Sequence, residues 1–111
     1  MVDSSDTYLV VLCTAPSPET GAELGRGLVE QQLAACVNVI PGLRSIYRWQ
    51  GETKDEAEVQ LLIKTRRSRF EALSAFLRQH HPYTEPEIIA LPIVEGSASY
   101  LGWVSEQTQP H

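Results

Sequence analysis

The sequence predicts one α+β domain, built from an antiparallel β-sheet and helices, and three observations support this prediction. The chain has 111 residues, of which 42% are hydrophobic, a content that suits one core with no length left for a second. Apolar runs typical of strands alternate along the chain with segments of helical periodicity. Proline and glycine separate these segments. We therefore expect a single domain over residues 1–111, with an ordered core at about residues 7–108.

The first three predicted elements are a strand, a helix and a second strand. Residues 8–14 form a continuous apolar and β-branched run, which is typical of a buried strand. Ser17 and Pro18 then suit the N-cap and the first position of a helix. We expect this helix to continue to about residue 34. The alternating segment 36–49 predicts the second strand.

A hairpin is predicted around the second strand. Pro41 and Gly42 interrupt its alternation, which indicates a bulged strand at a sheet edge. Gln50 and Gly51 predict the turn. Residues 56–65 then alternate clearly, so we expect a half-buried strand with its glutamates, Glu58 among them, on the solvent face.

The remaining elements are a helix, an edge strand and a last helix. Ser68 and Glu71 have the spacing of a capping box, and the apolar stripe that follows them runs to the stop at Pro82. Residues 87–94 predict a strand, and Pro92 marks it as an edge. A final helix is expected at about 97–107. The order β, α, β, β, α, β is that of a ferredoxin-like antiparallel sandwich, here with an extra C-terminal helix.

Charge and composition exclude several classes of function. The formal net charge of −5 and the pI near 5.1 oppose a surface that follows nucleic-acid phosphates. The one basic run consists of Lys64, Arg66, Arg67 and Arg69, and we expect it to be a solvated helix start. No apolar run approaches the length that spans a bilayer, and residues 1–6 lack the pattern of a signal peptide. We therefore expect a cytoplasmic protein with no nucleic-acid or membrane partner, and its two cysteines in the reduced state.

The pair His80 and His81 is the most informative local feature. The following Pro82 forces a helix to end there, so both imidazoles are expected at a helix C-terminus. In the predicted topology the end of the first strand, with Cys13, reaches the same rim. Thiolate and imidazole together suit copper or zinc. Adjacent helical residues point about 100° apart, however, so one ion needs an unwound turn or a second subunit to contact both histidines.

Seven segments resemble the CutA divalent-cation tolerance proteins, in the order of that family and over about residues 7–108. They are residues 11–16 (VLCTAP), 33–42 (LAACVNVIPG), 45–51 (SIYRWQG), 58–65 (EVQLLIKT), 80–83 (HHPY), 86–93 (PEIIALPI) and 100–103 (YLGW). The resemblance implies a ferredoxin-like subunit, a cytoplasmic homotrimer assembled through sheet edges, and a link to copper and other divalent metals. It also implies that Cys13, His80 and His81 are associated with copper, and it implies no established enzymatic activity.

Other interpretations remain open at this point. The imidazoles can serve as caps for the last helix carbonyls, and Cys13 as a small hydrophobic residue. A trimer of PII-like architecture can instead be a signalling or adaptor protein, which binds an unidentified small anion or a partner protein in clefts between subunits. Cys13 and a histidine resemble a nucleophile and its base, but no orienting residue or oxyanion loop accompanies them, so we do not expect an enzyme.

Overall fold

The structure is a computed structural model that describes residues 6–110. Residues 1–5 and His111, which the predicted domain includes, lie outside the described residues. Four strands, three helices and a 3-10 turn at Arg67–Arg69 follow one another along the described chain. They are β1 (Tyr8–Ala15), α1 (Pro18–Glu30), β2 (Cys36–Trp49), β3 (Glu52–Arg66), α2 (Phe70–His80), β4 (Ile89–Pro92) and α3 (Ala98–Gln107).

The strands form one antiparallel sheet in the order β2-β3-β1-β4. This order and the succession of elements confirm the predicted α+β architecture with a split βαβ arrangement. Strands β2 and β4 lie at the two edges, as their prolines predicted. β4 is much shorter than the predicted 87–94, because only Ile89–Pro92 pairs with β1.

The hairpin of β2 and β3 is long, and its local geometry matches the sequence. The register shifts between Ile40 and Leu43, which is the bulge that Pro41 and Gly42 predicted. Gln50 and Gly51 both have positive φ, at 51° and 81°, as a tight primed turn requires. β3 starts at Glu52 rather than at residue 56, and none of its first six residues is buried.

The core lies between the sheet and the two helices α1 and α2. Both helices bury leucines against the same sheet face, on which Val11, Leu61 and Ile63 are fully buried. Gly25 lets α1 approach β2, since an added Cβ would lie 3.0 Å from Val37. Gly27 faces α2 instead, since an added Cβ there would lie 2.5 Å from the Phe76 ring. Cys13 belongs to this core as well.

Two local expectations at the start of α2 are wrong. The predicted capping box does not form, because the Asp6 carboxylate accepts hydrogen bonds from the Ser68 amide and hydroxyl, at 3.1 and 2.6 Å. Arg66, expected on a solvated basic surface, is only 5% exposed. Its guanidinium donates to the Oγ1 and carbonyl oxygens of Thr108 and pairs with Asp6. Both errors arise from contacts between residues far apart in sequence.

The helices are short. The longest, α1, has 13 residues. Over residues 6–110, no helix is long and apolar enough to cross a membrane.

Candidate functional site

His81 is a buried connector between α2 and β1. It is the residue after the last turn of α2, its backbone is extended, and the residue as a whole is 7% exposed. The ring Nε2 contacts the Thr14 carbonyl oxygen at 2.7 Å, and the Tyr83 amide donates to Nδ1 at 3.1 Å. Nδ1 must therefore hold a lone pair while Nε2 carries the proton, which is the neutral imidazole. The predicted side-chain cap on helix carbonyls does not form, because the ring bonds a strand carbonyl instead.

Cys13 lies on β1 with its side chain fully buried in the core. Its thiol donates to the Thr14 carbonyl oxygen, with Sγ and O separated by 3.6 Å. Burial, and to a smaller extent the carboxylates of Glu87 and Glu58, raise the pKa of Cys13 to about 12. The thiol is therefore protonated at neutral pH.

His80 is exposed and points away from that pair. Its ring stacks on Phe76, one turn earlier in α2, with the ring centroids 4.3 Å apart. It lines a small cavity of about 290 Å³ together with Glu23 and Thr20 of α1. Its environment is therefore a solvent-facing groove between the two helices.

The structure thus brings two of the three predicted ligands together. Cys13 and His81 converge on one carbonyl oxygen of Thr14, and His80 faces the groove on α1. Within residues 6–110, no group of three or more His, Cys, Asp or Glu side chains is placed to hold a metal ion. Ligation by all three residues stays a prediction. Within one subunit, Cys13 and His81 would have to exchange their hydrogen bonds to the Thr14 carbonyl oxygen for bonds to the metal ion.

The thiol of Cys13 should be nearly inert towards alkylation. Since the thiolate is the reactive form and the pKa is raised to about 12, only a very small fraction is thiolate at pH 8. In a Cys36→Ser variant, which leaves Cys13 as the single thiol, we expect iodoacetamide at pH 8 to react at least about tenfold more slowly with the native protein than with the urea-unfolded protein. Mass spectrometry follows the reaction, and equal rates in the two states would contradict the buried, protonated thiol.

A larger cavity lies beside His81, between the β2–β3 hairpin and the segment 82–87. Its volume is about 590 Å³. Three aromatic and three acidic side chains share the wall with smaller residues. The lining residues are Thr14, Ser45, Ile46, Tyr47, Trp49, Glu58, Pro82, Tyr83, Thr84, Glu85 and Glu87.

Glu58 and Tyr83 form the inner wall of this cavity. The Tyr83 hydroxyl donates to Oε2 of Glu58 at 2.6 Å, and Glu58 is 7% exposed. The expectation that Glu58 faces solvent is therefore wrong, because Tyr83 covers it. Burial, and then the hydrogen bond and charge of Glu58, raise the pKa of the Tyr83 hydroxyl above its usual range. The sequence signal that was missed is Tyr83, an aromatic residue that follows the forced turn at Pro82 and lies against Glu58.

A second tyrosine that is hydrogen-bonded to a carboxylate lies at the mouth of the cavity. The Tyr47 hydroxyl donates to Glu56, and that hydrogen bond raises the pKa of Tyr47. Tyr47 and Trp49 are each about 40% exposed on the hairpin. An arrangement of carboxylates and aromatic faces attracts cations and repels anions.

The fold and this site define a class: small α+β proteins with a four-stranded antiparallel sheet, whose thiol and imidazole meet at the end of β1 beside an acidic cavity. The family model described as CutA1 divalent ion tolerance protein matches residues 9–107. The chain belongs to this family, as its sequence motifs predicted.

Individual relatives agree with this assignment. A divalent-cation tolerance protein CutA of Thermus thermophilus is 52% identical over 99 residues, which cover 89% of this chain and 96% of that protein. The chloroplastic protein CutA of Arabidopsis thaliana is 43% identical over 111 residues, and the match spans 98% of this chain and 61% of that protein. The crystal structure of CutA1 from Oryza sativa superposes with a TM-score of 0.90 at 42% identity, covering 93% of this chain and 94% of that one.

Proposed function

We propose that this protein is a cytoplasmic, non-enzymatic homotrimer that acts in divalent-cation tolerance. We further propose that it binds copper, or another divalent cation such as zinc, through Cys13, His80 and His81. The observation that carries the metal proposal is the convergence of the Cys13 thiol and the His81 ring on one carbonyl oxygen. Sulfur and imidazole nitrogen side by side are the ligand types that copper and zinc prefer.

Binding at this place has a physical cost that the structure makes explicit. A metal ion would have to deprotonate a thiol whose pKa is raised to about 12, and His81 would have to give up one of its two hydrogen bonds. Metal ions do deprotonate thiols that coordinate them, with release of the proton. The affinity should therefore increase with pH between 6 and 8.

The trimer is supported by the apolar side chains that one subunit exposes. Ile46 on the hairpin is 68% exposed, Ile89 on β4 is 51% exposed, and Val94 after it is 87% exposed. Both β2 and β4 also have an unpaired edge within the described chain. Exposed apolar residues on open sheet edges are a liability that pairing between subunits removes.

Two measurements on the same preparation test the two parts of the proposal, the trimer and the metal site. Light scattering on the reduced protein should give a mass about three times the 12.4 kDa of the chain. Copper titrated into that protein in a calorimeter should bind stoichiometrically. We expect Cys13→Ser, and the double variant His80→Ala with His81→Ala, to lose at least about tenfold in affinity, since each removes a ligand.

The matched control is Cys36→Ser, because Cys36 is a partly exposed thiol at the start of β2, away from Thr14. It should retain the copper affinity of the unchanged protein. Equal copper binding by all of these variants would refute the assigned ligands, and a single-chain mass would refute the trimer.

The cavity of about 590 Å³ favours a second candidate function, that of a trimeric signalling or adaptor protein that binds a small ligand. Pockets of this volume, with apolar walls and a few polar groups, are typical of small-molecule sites. This function is compatible with a role in cation tolerance, because the cavity and the groove of His80 share only Pro82 among their described lining residues.

A further inference from the structure

The cavity beside His81 carries a charge that its own walls do not neutralise. Glu58, Glu85 and Glu87 line it, and no lysine or arginine is among its described lining residues. The ion pairs found within residues 6–110 join Arg44 to Asp55, Lys54 to Glu52 and Arg66 to Asp6, so none involves these three glutamates. An occupant that brings positive charge would meet attraction from all three carboxylates.

Glu58 is the decisive member, because it is more than nine-tenths buried. Oε2 accepts the hydrogen bond from Tyr83. Within residues 6–110 no buried side-chain nitrogen or oxygen atom lacks a hydrogen-bond partner, so Oε1, which accepts no such bond there, is open to the cavity that Glu58 lines. A buried carboxylate without a cationic partner is costly, and such groups in proteins are normally paired. Glu58 is in none of the ion pairs found within residues 6–110 and it lines the cavity, so a cation in the cavity would pair with Oε1.

The other walls indicate what kind of cation this is. Tyr47, Trp49 and Tyr83 present aromatic rings to the same space. Aromatic faces attract ammonium groups and pack against alkyl chains. A cavity of about 590 Å³ is also far larger than a single ion, and lies in the range of organic ligands.

A bare metal ion fits this cavity poorly. Metal sites bring several oxygen, nitrogen or sulfur ligands within about 2–2.6 Å of one point. The described residues contain no group of three such side chains placed in that way, so the cavity glutamates are too dispersed for one ion. Dispersed carboxylates instead match a ligand whose positive charges are themselves spaced along a chain.

We propose that this cavity binds a small organic cation with two or more protonated amino groups, such as a linear diamine. One ammonium group pairs with Oε1 of Glu58 at the inner wall, and the other pairs with Glu85 or Glu87 near the mouth. The methylene chain between them packs on Tyr47 and Trp49. The proposal rests on the small-ligand function and reverses the expected charge of its ligand, since the sequence had suggested an anion.

Three probes with four carbon atoms test the proposal on the intact protein. They are 1,4-diaminobutane, which is a dication at pH 7.5, neutral 1,4-butanediol and dianionic succinate. Trp49 lines the cavity, and a Trp103→Phe background leaves it as the single tryptophan, so its fluorescence reports binding at this place. We expect saturable binding of the diamine only, weakened several-fold between 20 and 200 mM salt because charges are screened.

Two variants locate the effect. Glu58→Gln keeps an oxygen that can accept from Tyr83 but removes the charge, and it should weaken diamine binding at least about tenfold. Glu71→Gln, an exposed change in the first turn of α2, should leave binding unchanged. Circular dichroism checks that both variants are folded.

Each other outcome overturns the proposal. Binding of succinate without the diamine would refute the cation class while leaving the small-ligand function intact. Binding of none of the three probes, including the case in which a neighbouring subunit fills the cavity, would refute both. Diamine binding that Glu58→Gln leaves unchanged would place the ligand elsewhere. Copper binding to Cys13 and the histidines is measured separately and depends on none of these results.

Discussion

Replacing His81 with alanine is expected to lower the free energy of unfolding by about 3 kcal/mol. The ring is buried, and it serves two backbone groups at once, the Thr14 carbonyl and the Tyr83 amide. A buried polar group left without its partner costs about 1–3 kcal/mol, and packing of the ring against Tyr83 is lost as well. Urea denaturation at one fixed protein concentration measures the change, because the stability of an oligomer depends on concentration.

The neighbouring variant His80→Ala is the control for this prediction. His80 is exposed and its ring stacks on Phe76, so its removal should cost less than about 1 kcal/mol. If the two variants were equally stable, the structural role of His81 would be wrong. The contrast also matters for metal binding, because it measures how much stability is lost when each histidine gives up its present contacts.

Replacing Arg66 with methionine should lower the free energy of unfolding by about 3–5 kcal/mol, more than the change at His81. The reason is that the substitution removes one partner of a buried ion pair. The side chains of Arg66 and Asp6 are 7% and 5% exposed, and Arg66 also donates to Thr108 at 2.8 and 2.9 Å. The variant leaves the Asp6 carboxylate buried without a cation. It also detaches the end of α3 from β3.

Arg67 provides a matched comparison, since it is the next residue in the chain and is exposed. Arg67→Met should change the free energy of unfolding by no more than about 0.5 kcal/mol. Adding Asp6→Asn to Arg66→Met should recover part of the loss, because the unpaired charge is then removed. A double variant no more stable than Arg66→Met alone would contradict the ion-pair explanation.

Most of the fold could be predicted from the sequence, because its elements are specified locally. Alternation over residues 56–65, the bulge at Pro41 and Gly42, and the helix stop before Pro82 each depend on neighbours in the chain. The ends of elements were less predictable. α1 ends at Glu30 rather than near residue 34, since Gln32 adopts a positive φ of 59° and the chain turns towards β2.

The side chains that the sequence misplaced are those whose partners are distant. Glu58 is separated from Tyr83 by 25 positions, Arg66 from Thr108 by 42, and Ser68 from Asp6 by 62. Periodicity places a polar residue on the solvent face unless a partner covers it, and it carries no information about such partners. The sequence therefore did not predict that the residues of the acidic cavity lie together in one site.

The predicted ligand residues show the same division. Topology alone placed Cys13 and His81 at one end of the molecule, where both now meet the Thr14 carbonyl. It could not show that His80 turns to the groove on α1, because the direction of a side chain at the last residue of a helix depends on packing. The helix geometry predicted that two adjacent histidines would not face one ion, and in the structure the two side chains do lie in separate environments.

The ligands of the proposed copper ion can be identified by an X-ray absorption spectrum of the reduced protein loaded with one equivalent of copper per chain. From the proposed metal site we expect a first coordination shell that contains sulfur from Cys13 together with imidazole nitrogen, and loss of the sulfur contribution in the Cys13→Ser variant. A shell of nitrogen and oxygen ligands alone, identical in the two proteins, would contradict it.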